Sequence, residues 1–149
     1  MKRLFHTAIC SAALFGLLSP AYAATASSGF NVTASLTSQC QITVAPTNVA
    51  FTYTSFQTTA ATSTGGAFTL RCTSSLPYTL ALSAASGTVP GVSLNYTLSL
   101  SATSGTGAGL TTAAYTINGS MAAGQSGVCS TSATACTGTD ATQTVTITY

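Results

Sequence analysis

Cysteine is the residue type whose number and spacing could do chemistry in this chain. Of the five cysteines, Cys10 lies in an N-terminal leader described below, which leaves Cys40, Cys72, Cys129 and Cys136. An even number of cysteines in an exported chain predicts disulfide bonds. Four cysteines allow three pairings. We favour Cys40 with Cys72 and Cys129 with Cys136, because the second pair brackets a short Ser/Thr/Ala loop that could close locally.

Side chains that move protons are nearly absent. The sequence has three Lys or Arg residues, one acidic residue and one histidine, and Lys2, Arg3 and His6 all lie in the leader. Only Arg71 and Asp140 follow it, and the two could form an ion pair. A serine nucleophile would have no base except Asp140. Zinc binding is disfavoured as well, because no histidine follows the leader and the sequence has no C-x-x-C motif. The sequence therefore predicts no enzyme, no catalytic residue, no metal site and no cofactor.

The same composition constrains the partners. With one cation and one anion after the leader, the side chains sum to about zero charge, and basic residues form no cluster. Such a surface cannot release counterions from phosphates, which argues against nucleic acid as a partner. We also expect no small-molecule substrate.

The leader has the organisation of a signal peptide over residues 1–23. Lys2 and Arg3 precede an apolar stretch from Leu4 to Leu18, and Ala21-Tyr22-Ala23 gives a small-x-small cleavage pattern. We therefore expect a mature protein that starts at Ala24 and is exported. No later stretch approaches the roughly 20 apolar residues that a membrane span requires.

The mature sequence alternates apolar and polar residues with period two, which predicts β-strands, and no stretch has a convincing helical period. The alternating runs are Phe30 to Leu36, Cys40 to Val44, Val49 to Tyr53, Phe68 to Cys72, Tyr78 to Leu82, Leu94 to Leu100, Tyr115 to Met121 and Val145 to Tyr149.

Between these runs the chain is rich in turn formers. Residues 88–91 separate two runs, residues 101–109 contain only Ser, Thr, Ala and Gly and predict a flexible loop, and Asn118-Gly119 could form a tight turn or a bulge. Many short strands in one domain of this size predict an all-β sandwich. Tyr78, Tyr96 and Tyr115 are interpreted as core aromatics rather than as a platform for sugars.

The order of several stretches resembles one family, the spore coat protein U-like subunits of archaic chaperone-usher pili. The stretches are the alternating segment that leads into Cys40, then Arg71 to Leu82, Leu94 to Leu98, Asn118 to Gln125, and Thr144 to Tyr149. They span nearly the whole mature chain in the family order. The pair Cys129 and Cys136 departs from the common pattern, as do Thr52 and Ala122, where the family often has glycine and proline.

The resemblance implies an incomplete immunoglobulin-like sandwich that lacks its last strand and is completed by donor-strand exchange. Residues 24–38 would be the N-terminal donor-strand extension and residues 39–149 the pilin domain. The donor residues would be Phe30, Val32, Ala34 and Leu36, and the last strand that accepts chaperone or donor would present Val145, Ile147 and Tyr149. The implied partners are a periplasmic chaperone, an outer-membrane usher and neighbouring subunits of a pilus on the cell surface, which would support adhesion or biofilm formation.

Alternatives remain open at this stage. Residues 30–36 could be the first strand of their own domain, and the last strand could belong to an ordinary closed sandwich. A spore or cell-coat protein could use the same fold and strand exchange. A tip adhesin that contacts a surface directly is disfavoured, since residues 24–149 leave no room for a separate receptor-binding domain.

Overall fold

The computed structural model describes residues 23–63, 65–132 and 134–149, and all regular secondary structure in these ranges is β-strand, with no helix. The strands are β1 (Cys40–Val44), β2 (Ala61–Ser63), β3 (Phe68–Cys72), β4 (Pro77–Leu82), β5 (Ser86–Val89), β6 (Leu94–Leu100), β7 (Ser104–Thr106), β8 (Ala113–Tyr115), β9 (Ile117–Met121) and β10 (Val145–Thr148). The all-β class predicted from the sequence is confirmed.

The strands form three antiparallel sheets. Sheet I has the order β1-β3-β8, sheet II the order β10-β4-β7, and sheet III the order β2-β9-β6-β5. Antiparallel sheets bury one face and leave the other to solvent, which produces the alternation seen in the sequence. In β4, for example, Tyr78 and Leu80 are buried while Thr79 and Ala81 are exposed.

The core lies mainly between sheets I and II, as in a β-sandwich. Its buried members alternate along β3 and β4 and are joined by one residue each from β8 and β9: Phe68, Leu70, Cys72, Tyr78, Leu80, Tyr115 and Ile117. Burying a side chain of this size contributes roughly 1.5–3 kcal/mol. Tyr78, Tyr96 and Tyr115 are all buried, so their interpretation as core aromatics is confirmed.

Two of the predicted strands, Phe30 to Leu36 and Val49 to Tyr53, are absent. Val49, Phe51 and Tyr53 alternate as expected and are partly buried, but residues 45–60 contain no strand. Gly119 of β9 explains their burial, because a Cβ atom there would lie 2.4 Å from Cζ of Phe51 and 2.8 Å from Cγ1 of Val49. The two side chains cover a glycine in sheet III, so their segment is buried on alternate residues without joining a ladder. Asn118-Gly119 accordingly lies inside β9 and forms no turn.

Two strands appear where the sequence predicts turns or a loop. β5 occupies residues 86–89 and β7 occupies residues 104–106, and each pairs a glycine with a tyrosine of the neighbouring strand: Gly87 with Tyr96, and Gly105 with Tyr78. A Cβ atom at either glycine would lie 2.4 Å from that tyrosine's hydroxyl oxygen. The tyrosine side chain therefore covers the glycine, and few apolar side chains remain in the short strand: Val89 in β5 and none in β7.

The chain divides between Ser35 and Leu36 into two units. In the first unit, the described residues 23–35 contain no strand, and Phe30 and Val32 are 85% and 84% exposed. The second unit, from Leu36 onward, contains all the strands found among the described residues. The predicted signal peptide lies outside the described residues except for Ala23.

Candidate functional site

The last strand, β10, lies at the edge of sheet II. It pairs with β4 in the register Val145 to Leu82 and Ile147 to Leu80, and β4 is its only partner in the part of the chain that the structure describes. Leu80 is buried, whereas Val145 and Ile147 are only half-buried although they share its face. Tyr149 follows the strand and is 57% exposed.

The backbone of β10 has hydrogen-bonding groups directed away from β4. The Leu80 amide donates to the Thr103 carbonyl at 2.8 Å, so Leu80 bonds toward β7. In an antiparallel pair, residues that bond to each other alternate with residues that do not. Ile147, which stands opposite Leu80, therefore directs its amide and carbonyl away from β4. An edge strand with such groups is a template for another strand.

The first strand, β1, is the edge of sheet I. Ile42 stands opposite Leu70 on the inner face, yet Ile42 is 37% exposed and Leu70 only 1%. Val44, beyond an irregularity in the register, is 54% exposed. The inner face of sheet I is therefore covered at its centre and uncovered at the β1 edge.

The other edge strands of the same two sheets, β8 of sheet I and β7 of sheet II, are closed by packed side chains. The hydroxyls of Tyr78 in β4 and Tyr115 in β8 lie 2.6 Å apart in a buried hydrogen bond, and a Cβ atom at Gly105 of β7 would meet both hydroxyls. β7 and β8 thus face each other across the core. Since β1 and β10 are the remaining edges of the same two sheets, we infer that they lie together on the side of the sandwich away from β7 and β8.

The two pairs of cysteines form disulfides in the pairing favoured from the sequence. Cys40 and Cys72 stand directly opposite each other in the β1-β3 ladder, with Cα atoms 4.1 Å apart. Cys129 and Cys136 close a short segment of the loop between β9 and β10. Two disulfides indicate an oxidising environment outside the cytoplasm. None of the described residues forms a helix long and apolar enough to cross a membrane.

The two charged side chains of the mature sequence do not pair with each other, which corrects the ion pair considered from the sequence. Arg71 donates to Oε1 of Gln41 on the outer face of sheet I, at 3.5 Å. Asp140 accepts bonds from the Tyr96 hydroxyl and from Thr142. Each residue instead bonds to uncharged partners: Arg71 to Gln41 of the neighbouring strand β1, and Asp140 to Thr142 of its own loop and to Tyr96 of β6.

Sequence reasoning missed the hydrogen-bonded cluster around Asp140. Oδ1 of Asp140 accepts from the Thr142 hydroxyl at 2.6 Å and from its amide at 3.0 Å, and Oδ2 accepts from the Tyr96 hydroxyl. The bonds from Thr142, and then that from Tyr96, hold the pKa of the Asp140 carboxyl well below its usual range. Burial and the bond to Asp140 raise the pKa of Tyr96. The available signal was that Asp140 is the chain's only acidic residue.

The predicted donor residues lie on either side of the boundary between the two units. Phe30, Val32 and Ala34 belong to the first unit, and Leu36 is the first residue of the second. All four are exposed, with Leu36 at 83%. Four alternate apolar side chains in water would become buried only against another surface.

Comparison with models of known protein families, with curated proteins and with solved structures finds no match for this chain.

Proposed function

We propose that the mature chain is a structural subunit of a surface pilus that assembles through the chaperone-usher pathway by donor-strand exchange. The observation that carries the proposal is the exposure of inner-face residues at two edges. Ile42 and Ile147 remain partly exposed although their in-register neighbours, Leu70 and Leu80, are buried. A strand laid between β1 and β10 would cover both residues and would also meet the outward-directed backbone of β10.

On this proposal the fold is an immunoglobulin-like sandwich without its last strand. The side sealed by Tyr78 and Tyr115 would be the complete side, and the side flanked by β1 and β10 would be the acceptor. Residues 39–149 would form this pilin domain. Val145 and Ile147 would line the acceptor, and Tyr149 would extend it beyond the end of β10.

The donor would be residues 24–38 of a neighbouring copy. Period two directs Phe30, Val32, Ala34 and Leu36 to one face of an extended strand. Burying Phe30, Val32 and Leu36 would contribute roughly 1.5–3 kcal/mol each, before the cost of ordering the segment is subtracted. The apolar donor face matches an acceptor whose uncovered residues are also apolar.

The partners of this cycle would be a periplasmic chaperone that fills the acceptor first, an outer-membrane usher at which the exchange takes place, and neighbouring subunits. The finished fibre would lie at the cell surface and support adhesion or biofilm formation. The proposed role requires no catalytic residue, cofactor, nucleic acid or small-molecule substrate. It also explains how an apolar, uncapped edge strand avoids aggregation before assembly, since the chaperone would cover it.

The test is to replace two donor residues with charged ones. Val32→Asp combined with Leu36→Asp should abolish polymerisation, because the carboxylates would have to enter the apolar acceptor, while the soluble one-to-one complex with the periplasmic chaperone should persist. The matched control is Thr33→Asp with Ser35→Asp, which places the same two charges on the other face of the same segment. Polymerisation is measured by electron microscopy and by the SDS-resistant ladder of oligomers.

Fibres that form equally well in the Val32/Leu36 variant would show that the donor lies elsewhere. A wild-type mature chain that remains a stable, soluble monomer without a chaperone would refute the pilus proposal as a whole.

A further inference from the structure

Asp140 stands out because it is the only acidic residue in the sequence. It lies near the end of the long loop between β9 and β10, shortly before β10 begins at Val145. Its side chain is partly buried and accepts hydrogen bonds on both oxygens, as described above. A lone carboxylate in a chain that otherwise uses Ser and Thr for polarity requires a structural reason.

The partner of its Oδ2 atom, Tyr96, is held firmly. Tyr96 is 5% exposed and lies in β6, opposite Gly87 of β5. A Cβ atom at Gly87 would lie 2.4 Å from the tyrosine hydroxyl oxygen, so the ring rests directly on the β5 backbone. The Tyr96 hydroxyl is therefore a fixed point that belongs to sheet III.

A second chain of hydrogen bonds leads from this hydroxyl to the start of β10. Gln143 donates from Nε2 to the Tyr96 hydroxyl at 2.9 Å, and its Oε1 accepts from the Ser83 hydroxyl at 3.1 Å. The Ser83 hydroxyl in turn accepts from the Thr144 amide at 2.9 Å, and the Ser83 amide donates to the Thr144 carbonyl at 2.9 Å. Ser83 directly follows β4, and Thr144 directly precedes β10.

The chain of contacts therefore connects sheet III to the first rung of the β4-β10 ladder. β10 has four residues and only β4 as a described partner, so few ladder bonds hold its register. A slip by one residue would direct Val145 and Ile147 to the wrong face of the sheet. An anchor immediately before the first rung would prevent such a slip.

We propose that Asp140 is a positioning residue which, through Tyr96 and Gln143, sets the register of β10 on β4 and thereby the edge that β10 presents to an incoming strand. The statement about register is independent of the pilus proposal, whereas the statement about an incoming strand rests on it. We call the group Tyr96, Asp140 and Gln143 the β10 anchor.

The competing explanation is local. Asp140 could merely shape its own turn through the two bonds from Thr142, with no effect on β10. Tyr96→Phe separates the two roles, because it removes the hydroxyl that bonds to Oδ2 of Asp140 and to Gln143 but leaves both bonds from Thr142 to Oδ1 and the ring over Gly87. Asp140→Ala removes the carboxylate and with it both the local bonds and the contact with Tyr96.

The experiment is amide hydrogen exchange on the mature protein, purified in the same assembly state for every variant, with Thr146 and Thr148 as reporters in β10. Asp140→Ala and Tyr96→Phe should each accelerate exchange at these two amides by about tenfold through local opening of the strand. Their effects should not add in the double variant, because both substitutions break the contact between Asp140 and Tyr96. Amides of β3 should be unaffected in all three.

The matched control is Tyr53→Phe. The Tyr53 hydroxyl donates to the Ala122 carbonyl at 2.8 Å and accepts from the Gln125 amide at 2.9 Å, so it holds the beginning of the same loop far along the chain from β10. Its loss should leave Thr146 and Thr148 unchanged. Gln143→Ala is a second variant that should accelerate β10 exchange, because it interrupts the same chain of hydrogen bonds. It takes the place of either anchor variant that folds poorly.

Wild-type exchange rates at Thr146 and Thr148 in Tyr96→Phe would overturn the proposal and assign Asp140 to its local turn. Additive effects in the double variant would overturn it as well. Polymerisation is scored separately. If the variants exchange faster at β10 and the wild type never polymerises, the anchor is supported and the pilus proposal is refuted. If the variants exchange at the wild-type rate and the wild type polymerises, the pilus proposal is supported and the anchor is refuted.

Discussion

The two sides of the sandwich differ in what covers the inner face. On the β7-β8 side, Tyr78 and Tyr115 bond to each other over Gly105, and the core ends in a buried, satisfied pair of hydroxyls. At the other edges of the same two sheets, β1 and β10, Ile42 and Ile147 stand opposite buried leucines and are themselves partly exposed. The difference teaches that the inner faces of the two sheets are covered at one pair of edges and left partly uncovered at the other.

The comparison is tested most strongly by truncating two in-register neighbours. Leu70→Ala should lower the free energy of unfolding by about 2–5 kcal/mol, since it leaves a cavity in a packed core. Ile42→Ala should cost the free chain clearly less, because part of the isoleucine already contacts water. Urea denaturation at low protein concentration measures both.

In the assembled fibre the two substitutions should become similar, since a strand laid beside β1 would bury Ile42. Resistance of the oligomers to heating in SDS gives the second measurement. Equal losses in the free chain would mean that the β1 edge is already covered.

The two disulfides should contribute unequally to the free energy of unfolding, and the one at the β1 edge should contribute more. Replacing Cys40 and Cys72 with Ala should lower the free energy of unfolding by roughly 3–4 kcal/mol, because the bridge joins residues 32 apart in sequence and ties the edge strand β1 to β3. Replacing Cys129 and Cys136 should cost roughly 2–3 kcal/mol, since the separation is 7 residues. Denaturant unfolding of each double variant against the oxidised wild type provides the comparison.

Hydrogen exchange distinguishes where each loss occurs. The Cys40/Cys72 variant should expose the amides of β1 and β3, and the Cys129/Cys136 variant only those of the β9-β10 loop. Loosening of β1 in the second variant would contradict the separation of the two regions.

The packing between β7 and β8 should lose stability at alkaline pH. Burial, and then the hydrogen bond with Tyr115, raise the pKa of Tyr78 to about 12 from an ordinary value of 10.0. Because the folded-state pKa is the higher one, the contribution of the protonated hydroxyl is complete below pH 10.0 and is lost as the pH rises toward 12.

Tyr78→Phe should reduce this alkaline loss. It should also lower stability at neutral pH by about 1–3 kcal/mol, because the Tyr115 hydroxyl would lose its buried partner. Urea midpoints at neutral and alkaline pH, in the wild type and in the variant, measure both effects. An unchanged alkaline slope in the variant would show that other groups control the alkaline loss.

Most of the strands follow from sequence patterns, and three exceptions in the second unit have one physical cause. Strands such as β3, β4 and β6 carry their own alternating apolar residues, so period two predicts them. β7 carries none and β5 only Val89, because Tyr78 and Tyr96 cover their glycines from the neighbouring strands. Conversely, Val49 and Phe51 alternate although they join no ladder, because they cover Gly119. In the second unit, alternation therefore follows burial, and a neighbouring strand can supply that burial, whereas the alternating apolar residues of 30–36 are exposed and form no strand.

The candidate site divides in the same way. The apolar faces of β1 and β10 and the cysteine pairing favoured here were readable from residue types and spacing. The sequence could not show that Ile42 and Ile147 would be left uncovered, because exposure depends on which strands lie beside them. The anchor formed by Tyr96, Asp140 and Gln143 joins residues far apart in sequence, and no local pattern connects them.

By itself, the sequence determined the chemical repertoire of this protein: alternating apolar and polar residues, cysteines that allow two disulfides, and side chains rich in hydroxyls and poor in charge. Those properties depend on composition and on neighbours in the chain. Only the tertiary structure decided which edges are sealed and which are open, because the covering of one strand by another depends on pairing between distant segments. The disulfides illustrate both levels, since the pairing favoured from spacing is present, yet only the ladder places Cys40 directly opposite Cys72 on an open edge.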